Sequence, residues 1–294
     1  MKTFIAITLF FVLSGCSRSV NTDQLRNKVT ALDLTRGDIA LCTSGKGEFG
    51  QVSFPVACSE EVKADFNLAT ALLHSFEYPE AEKVYARIME RDPQCLMAYW
   101  GAAMCNFHPL WEPPSEKDLQ KGADIIALGR SVVTDPATRE ARYLETIATI
   151  YDGWKELDHR SRVAKFEEAS AKLQADFPDD NEAAIFHALA MRAASDPRDK
   201  SFEKQKRAGE ILNQVLAKDP KHPGVAHYII HVYDYPELAE QGLTSAREYA
   251  SLAPASAHAL HMPSHIFTRL GLWDESIKSN LASSASRWVS NTSI

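Results

Sequence analysis

Residues 222–269 read HPGVAHYIIHVYDYPELAEQGLTSAREYASLAPASAHALHMPSHIFTR. Six of the ten histidines in the chain fall in this stretch: His222, His227, His231, His258, His261 and His265. His227 and His231 are four residues apart, as are His261 and His265, and the second pair follows the first by 34 residues, member for member. Four residues is about one helical turn, so each pair stacks on one face of its helix. Thirty-four residues is a period of helix–turn–helix repeats. Two like pairs in one repeat phase predict adjacent, parallel helices that bring four imidazoles to one patch.

The same unit can be followed outward. From Val62 the chain is apolar at helical spacing, turns at Tyr78-Pro79-Glu80, and continues helical to Pro93. Ala81, Tyr85 and Pro93 recur in kind and spacing as Ala208, Leu212 and Pro220. This is the small–aromatic (or apolar)–proline pattern of the second helix of a tetratricopeptide (TPR) repeat. Six units can be traced, and no stretch shows strand-like alternation. The expected fold is all-α: a right-handed TPR-type superhelical solenoid of about six helix pairs, spanning residues 61–294. No polar capping helix follows the sixth unit. Either the chain is a shortened form of a longer protein, or a partner covers that end.

Upstream, MKTFIAITLFFVLSGC has one lysine and an apolar run from Phe4 to Leu13. The run is short for a membrane span and fits the h-region of a signal peptide, residues 1–15. Leu13-Ser14-Gly15-Cys16 resembles a bacterial lipobox, which implies cleavage before Cys16 and its lipidation. Ser17 beside it, by the same resemblance, implies sorting to the outer membrane, facing the periplasm. Residues 16–60 then read as a lipidated tether and irregular segment, with one short helix near Asp23–Leu34. In an oxidising compartment Cys42, Cys58, Cys95 and Cys105 allow three pairings. Cys58–Cys95 is the favoured one because each lies just before the first helix of neighbouring units; buried free thiols are the alternative. A net charge of −7 and a pI near 5.8 argue against a nucleic-acid partner.

Five segments resemble a family of bacterial TPR lipoproteins: FGQVSFPVACS (49–59), ALLHSFEYPEA (71–81), CLMAYWGAAM (95–104), HPGVAHYIIHVYD (222–234) and HALHMPSHIFTRLG (258–271). The likeness runs over roughly residues 49–281. It implies the TPR fold and carries no settled activity. By resemblance to that fold, first helices line the concave groove, and His227, His231, His261 and His265 occupy places that face it.

Imidazoles reaching between helix axes ~8–10 Å apart could share one ion at ~2.0–2.1 Å. Nitrogen ligands favour Zn²⁺ or Cu²⁺ over Mg²⁺. His258 and Asp234 stand in reserve, as further ligands or as acceptors that fix a tautomer. The alternative is a hydrogen-bonded polar patch, bonded to Tyr228, Tyr233 or carbonyls. Pro263 is the weak point: a helix starting there would leave His261 outside it. His74, His108 and His187 are further groove candidates; for the first two a helix-end or interhelix hydrogen bond is the favoured alternative. His227-Tyr-Ile-Ile-His231 has zincin ligand spacing but Tyr228 where that chemistry needs Glu, and no nucleophile elbow, Walker loop or haem motif is present. The five tryptophans read as core packing.

Three functions follow. The leading expectation is a lipid-anchored periplasmic scaffold that binds a protein or peptide in its concave groove. The second is a metal-binding or metal-dependent protein centred on the histidines. The third is a hydrolase with metal-bound hydroxide, for which Asp234 is the one nearby candidate base.

Overall fold

The structure, a computed structural model, describes residues 22–39 and 49–291, with side chains through residue 286. The leader 1–15, Cys16, Cys42 and the Trp288 ring lie outside the described residues. All regular elements among the described residues are helical. Helix α1 (Thr22–Ala31) precedes six helix pairs. They are α2 (Glu60–His74) with α3 (Tyr78–Arg91), α4 (Leu96–Cys105) with α5 (Glu116–Arg130), and α6 (Arg139–Tyr151) with α7 (His159–Asp176). Then come α8 (Asn181–Ala193) with α9 (Glu203–Leu216), and α10 (Pro223–Tyr233) with a 3₁₀ turn (Ala239–Gly242) and α11 (Leu243–Leu252). The last is α12 (Ala257–His261) and α13 (Pro263–Arg269) with α14 (Trp273–Asn291). Helices pack within pairs and each pair on the next, a helical-repeat solenoid.

Local chemistry sets these boundaries. Pro79 sits in the first turn of α3, where its missing N–H costs nothing. Side chains of Ser115, Thr138 and Asp158 accept backbone N–H groups at the starts of α5, α6 and α7. Close helix contacts rest on small residues facing aromatics. A Cβ on Gly101 would stand 2.2 Å from the Tyr85 ring, and one on Gly209 would stand 2.0 Å from the Tyr233 hydroxyl.

The segment before α2 is packed, unlike a free tether. Leu25 and Val29 of α1 are buried, α1 packs on α3, and Arg36 pairs with Glu90. Further on, Phe49, Val52, Phe54 and Val56 are buried. The Phe54 ring packs edge-on against Phe66 of α2 (5.7 Å), Trp100 of α4 (5.8 Å) and Tyr143 of α6 (5.3 Å). The Arg139 guanidinium lies 5.4 Å from the centre of the same ring and donates to the Pro55 carbonyl. Cys58 and Cys95 are bonded, closing a loop of 37 residues, which limits the unfolded chain by roughly 3–4 kcal/mol. Phe54 therefore packs across the first helices of units one to three, α2, α4 and α6. Cys105 is a buried free thiol.

Tryptophan placement departs from the expected uniform core. Trp100 is buried at 2%, whereas Trp111 and Trp273 are 53% and 62% exposed. Trp111 sits in the proline-rich α4–α5 connection, with its ring edge-on to Phe76, Tyr78 and His258.

Phe54 ties three units together, so Phe54→Ala should lower unfolding free energy by about 3–5 kcal/mol in urea denaturation. A change within about 0.5 kcal/mol, as for a surface site, would show that Phe54 does not hold the three units together.

Candidate metal centre

Helix α10 is buried over nearly all its length, so its polar side chains must find partners inside the protein. His227 is fully buried. Its Nδ1 donates to the backbone carbonyl of His74 at 2.6 Å. That bond fixes the proton on Nδ1 and leaves Nε2 with its lone pair. His231 Nε2 lies 3.1 Å from this Nε2, and His258 Nε2 lies 3.0 Å from it. The three nitrogens fall within 4.8 Å of one another. An imine nitrogen has one lone pair, so two neighbouring N–H groups cannot both be served well. A cation among the three nitrogens resolves the conflict. Ligand bonds of ~2.0–2.1 Å in a tetrahedron put nitrogens about 3.3–3.4 Å apart, within a few tenths of the two short separations.

Aromatic rings wall the cluster. Phe76 packs on His227, His231 and His258 with centroid distances of 4.4, 5.4 and 5.5 Å. Tyr249 stacks on His227 at 5.0 Å, and Trp111 meets His258 edge-on at 5.7 Å. Phe76 holds a left-handed backbone, φ 58°. It closes α2 in a Schellman turn, with Glu77 N–H donating to the Leu72 carbonyl at 3.0 Å. Glycine usually takes that place. Phenylalanine there costs of order 1 kcal/mol, and strain of this kind concentrates at functional sites.

The four expected ligands do not converge on one point. Facing positions on α10 and the α12–α13 segment are 31 residues apart: His227 meets His258, and Asp234 meets His265. This is about one turn short of the 34-residue repeat, so the phase of the sequence is not the register of contact. His258, a reserve in the sequence reading, takes the place facing His227. The helix does begin at Ala257, with Ser256 Oγ accepting the Ala259 N–H, and Met262 keeps helical angles into Pro263. His261 and His265 thus share a face, Nε2 to Nε2 at 3.1 Å. Asp234 binds His265 Nδ1 and Arg269 Nε, both at 2.9 Å. Burial would raise its pKa, but these two partners hold it below the usual carboxylate range. With both oxygens engaged, Asp234 is ill-suited as the base a hydrolase would need.

His74, the last residue of α2, is fully buried and makes hydrogen bonds to other helices. Its Nε2 is 3.0 Å from Glu182, which also receives His222 Nε2 at 2.9 Å, and its Nδ1 is 3.0 Å from the Tyr228 hydroxyl. Burial would raise the Glu182 pKa, yet the two imidazoles hold it well below the ordinary value. Each imidazole nitrogen that faces Glu182 is committed as a donor, so this set joins α2, α8 and α10 by hydrogen bonds. Sequence spacing had no signal for Glu182. His187 binds Gln174 at 2.5 Å, and His108 packs on Tyr78 at 4.7 Å; neither joins the cluster.

No family model matches the chain, and no curated protein matches it. Among solved structures the chain is similar to PilW, described as a widely conserved type IV pilus biogenesis factor. The identity is 15% and the TM-score 0.43, over 75% of this chain and 91% of that one. A likeness this loose carries no functional argument.

Burial holds the pKa of His227 and His231 well below the ordinary histidine value of 6.5, with like-charged neighbours adding to it. Burial also lowers His74, and burial with Arg207 and Lys204 lowers His187 to about 4. Below pH 6.5 the unfolded chain therefore binds more protons than the folded one, and stability falls as pH falls. The melting temperature of the metal-free protein should decline steadily from pH 7 to pH 5; a flat profile would contradict these buried neutral histidines.

Proposed function

We propose that the protein binds a divalent transition-metal ion, Zn²⁺ or Cu²⁺, through Nε2 of His227, His231 and His258. The observation that carries this reading is the convergence of three imidazole nitrogens, one of them held as an acceptor by the His74 carbonyl. Nitrogen donors select borderline ions over Mg²⁺ or Ca²⁺, and the backbone acceptor behind His227 raises its basicity and fixes its orientation. Burial keeps His227 and His231 neutral and available as ligands. The leader, Cys16 and Ser17 support placing this scaffold on the periplasmic side of the outer membrane through a lipid anchor. The bond between Cys58 and Cys95 fits an oxidising compartment. Capture of a peptide across α2, α4 and α6 at Phe54 would first require that ring to leave its aromatic contacts.

Elemental analysis of the full chain, purified in detergent without a histidine tag, tests the reading. At least one tightly held equivalent of Zn or Cu should be present or be taken up, and His227→Ala/His231→Ala should lose it. His258→Ala should weaken binding while His187→Ala leaves it unchanged. No tightly held ion after incubation with Zn²⁺ and Cu²⁺ would sink the metal centre.

A further inference from the structure

A second conflict of lone pairs lies beside the first cluster. His261 Nδ1 is 2.7 Å from Asn280 Oδ1. The Asn280 amide cannot be turned to offer its nitrogen instead, because Nδ2 already donates to the Ser276 carbonyl at 3.0 Å. His261 must therefore carry its proton on Nδ1. His265 Nδ1 faces the carboxylate of Asp234 at 2.9 Å, so His265 carries its proton on Nδ1 as well. Each neutral ring is left with a bare lone pair on Nε2. These two nitrogens stand 3.1 Å apart, with no hydrogen between them.

Two acceptors at that distance repel unless something positive lies between them. We propose that His261 and His265 form a second, weaker site for a divalent transition-metal ion, next to the His227/His231/His258 centre. The proposal rests on the reading that this patch holds such ions, but its ligands and its tautomer argument are separate. The pair lies one turn apart on the α12–α13 segment, so one ion can chelate both Nε2 atoms. The oxygen acceptors behind the rings, Asn280 and Asp234, do for this pair what the His74 carbonyl does for His227. The site has two protein ligands where the first has three, and both rings are partly exposed, so water completes its coordination and affinity is lower. His258 links the sites: it ligates in the first and lies one turn before His261, with ring centres 6.4 Å apart. The result is a graded two-ion patch at the last two units of the solenoid.

Equilibrium dialysis of the full chain against Zn²⁺, read by elemental analysis, decides the matter. The wild type should bind two equivalents, one tight and one weak. His261→Gln/His265→Gln should lose only the weak equivalent, and His227→Ala/His231→Ala only the tight one. Asn280→Ala leaves both ligands in place but frees the His261 tautomer, and should weaken the second equivalent roughly 10–100-fold. Far-ultraviolet circular dichroism of each variant without metal should match the wild type. Should the glutamine variant misfold, the Asn280→Ala result stands in its place. Saturation of the wild type at one tight equivalent would overturn the second site and show that the pair shares a proton instead. So would a folded His261→Gln/His265→Gln protein that still binds two. One equivalent that survives His227→Ala/His231→Ala and vanishes in the His261/His265 variant would support the second site and sink the first.

Discussion

His74 is the residue on which the inner architecture depends. Its side chain bonds Glu182 of α8 and Tyr228 of α10, and its backbone carbonyl accepts His227 Nδ1. One residue at the end of α2 thus holds unit one against units four and five, closing the solenoid on itself. The approach is so close that a Cβ on Gly224 would stand 2.4 Å from His74 Nδ1. That glycine lets the first turn of α10 slide under the imidazole. A buried carboxylate shared by two histidines is stable only when each lone pair and proton has a partner, and most of this network satisfies that condition. His222 Nδ1 is an exception, buried without one.

The same logic, applied one layer outward, separates structure from site. Around Glu182 the nitrogens that face the carboxylate have a fixed job as donors. At His227 the fixed proton lies on the far side of the ring and leaves one lone pair facing two imidazole nitrogens; between His261 and His265 both fixed protons lie on the far side, and lone pairs are left facing one another. Phe76, Tyr249 and Trp111 pack their rings against the His227 cluster. The cost of keeping Phe76 left-handed makes sense if its ring is needed where it is.

Sequence patterning made the solenoid legible because every unit buries one helical stripe and stops at a cap, a proline or a small residue. Ala81 with Tyr85, and Ala208 with Leu212, signal this directly. Three things were not legible. Reading residues 16–60 as an irregular tether missed the apolar Phe49, Val52, Phe54 and Val56, and Phe54 reaches three units, a contact with no local period. Glu182 sits far from both of its histidines in the chain. The 31-residue register between α10 and the α12–α13 segment depends on how two helices lie against each other, so the repeat phase pointed to His261 where His258 stands. The histidine pairs themselves were legible, since turn spacing puts both members on one face whatever the register.

The most direct measurement is the X-ray absorption spectrum of the full-length protein loaded with one equivalent of Zn²⁺. The account predicts three imidazole ligands at ~2.0–2.1 Å, with the outer scattering of imidazole ring carbons, and loss of that signal when His258 is replaced by alanine. A spectrum dominated by oxygen ligands, or one unchanged by His258→Ala, would contradict a three-histidine centre.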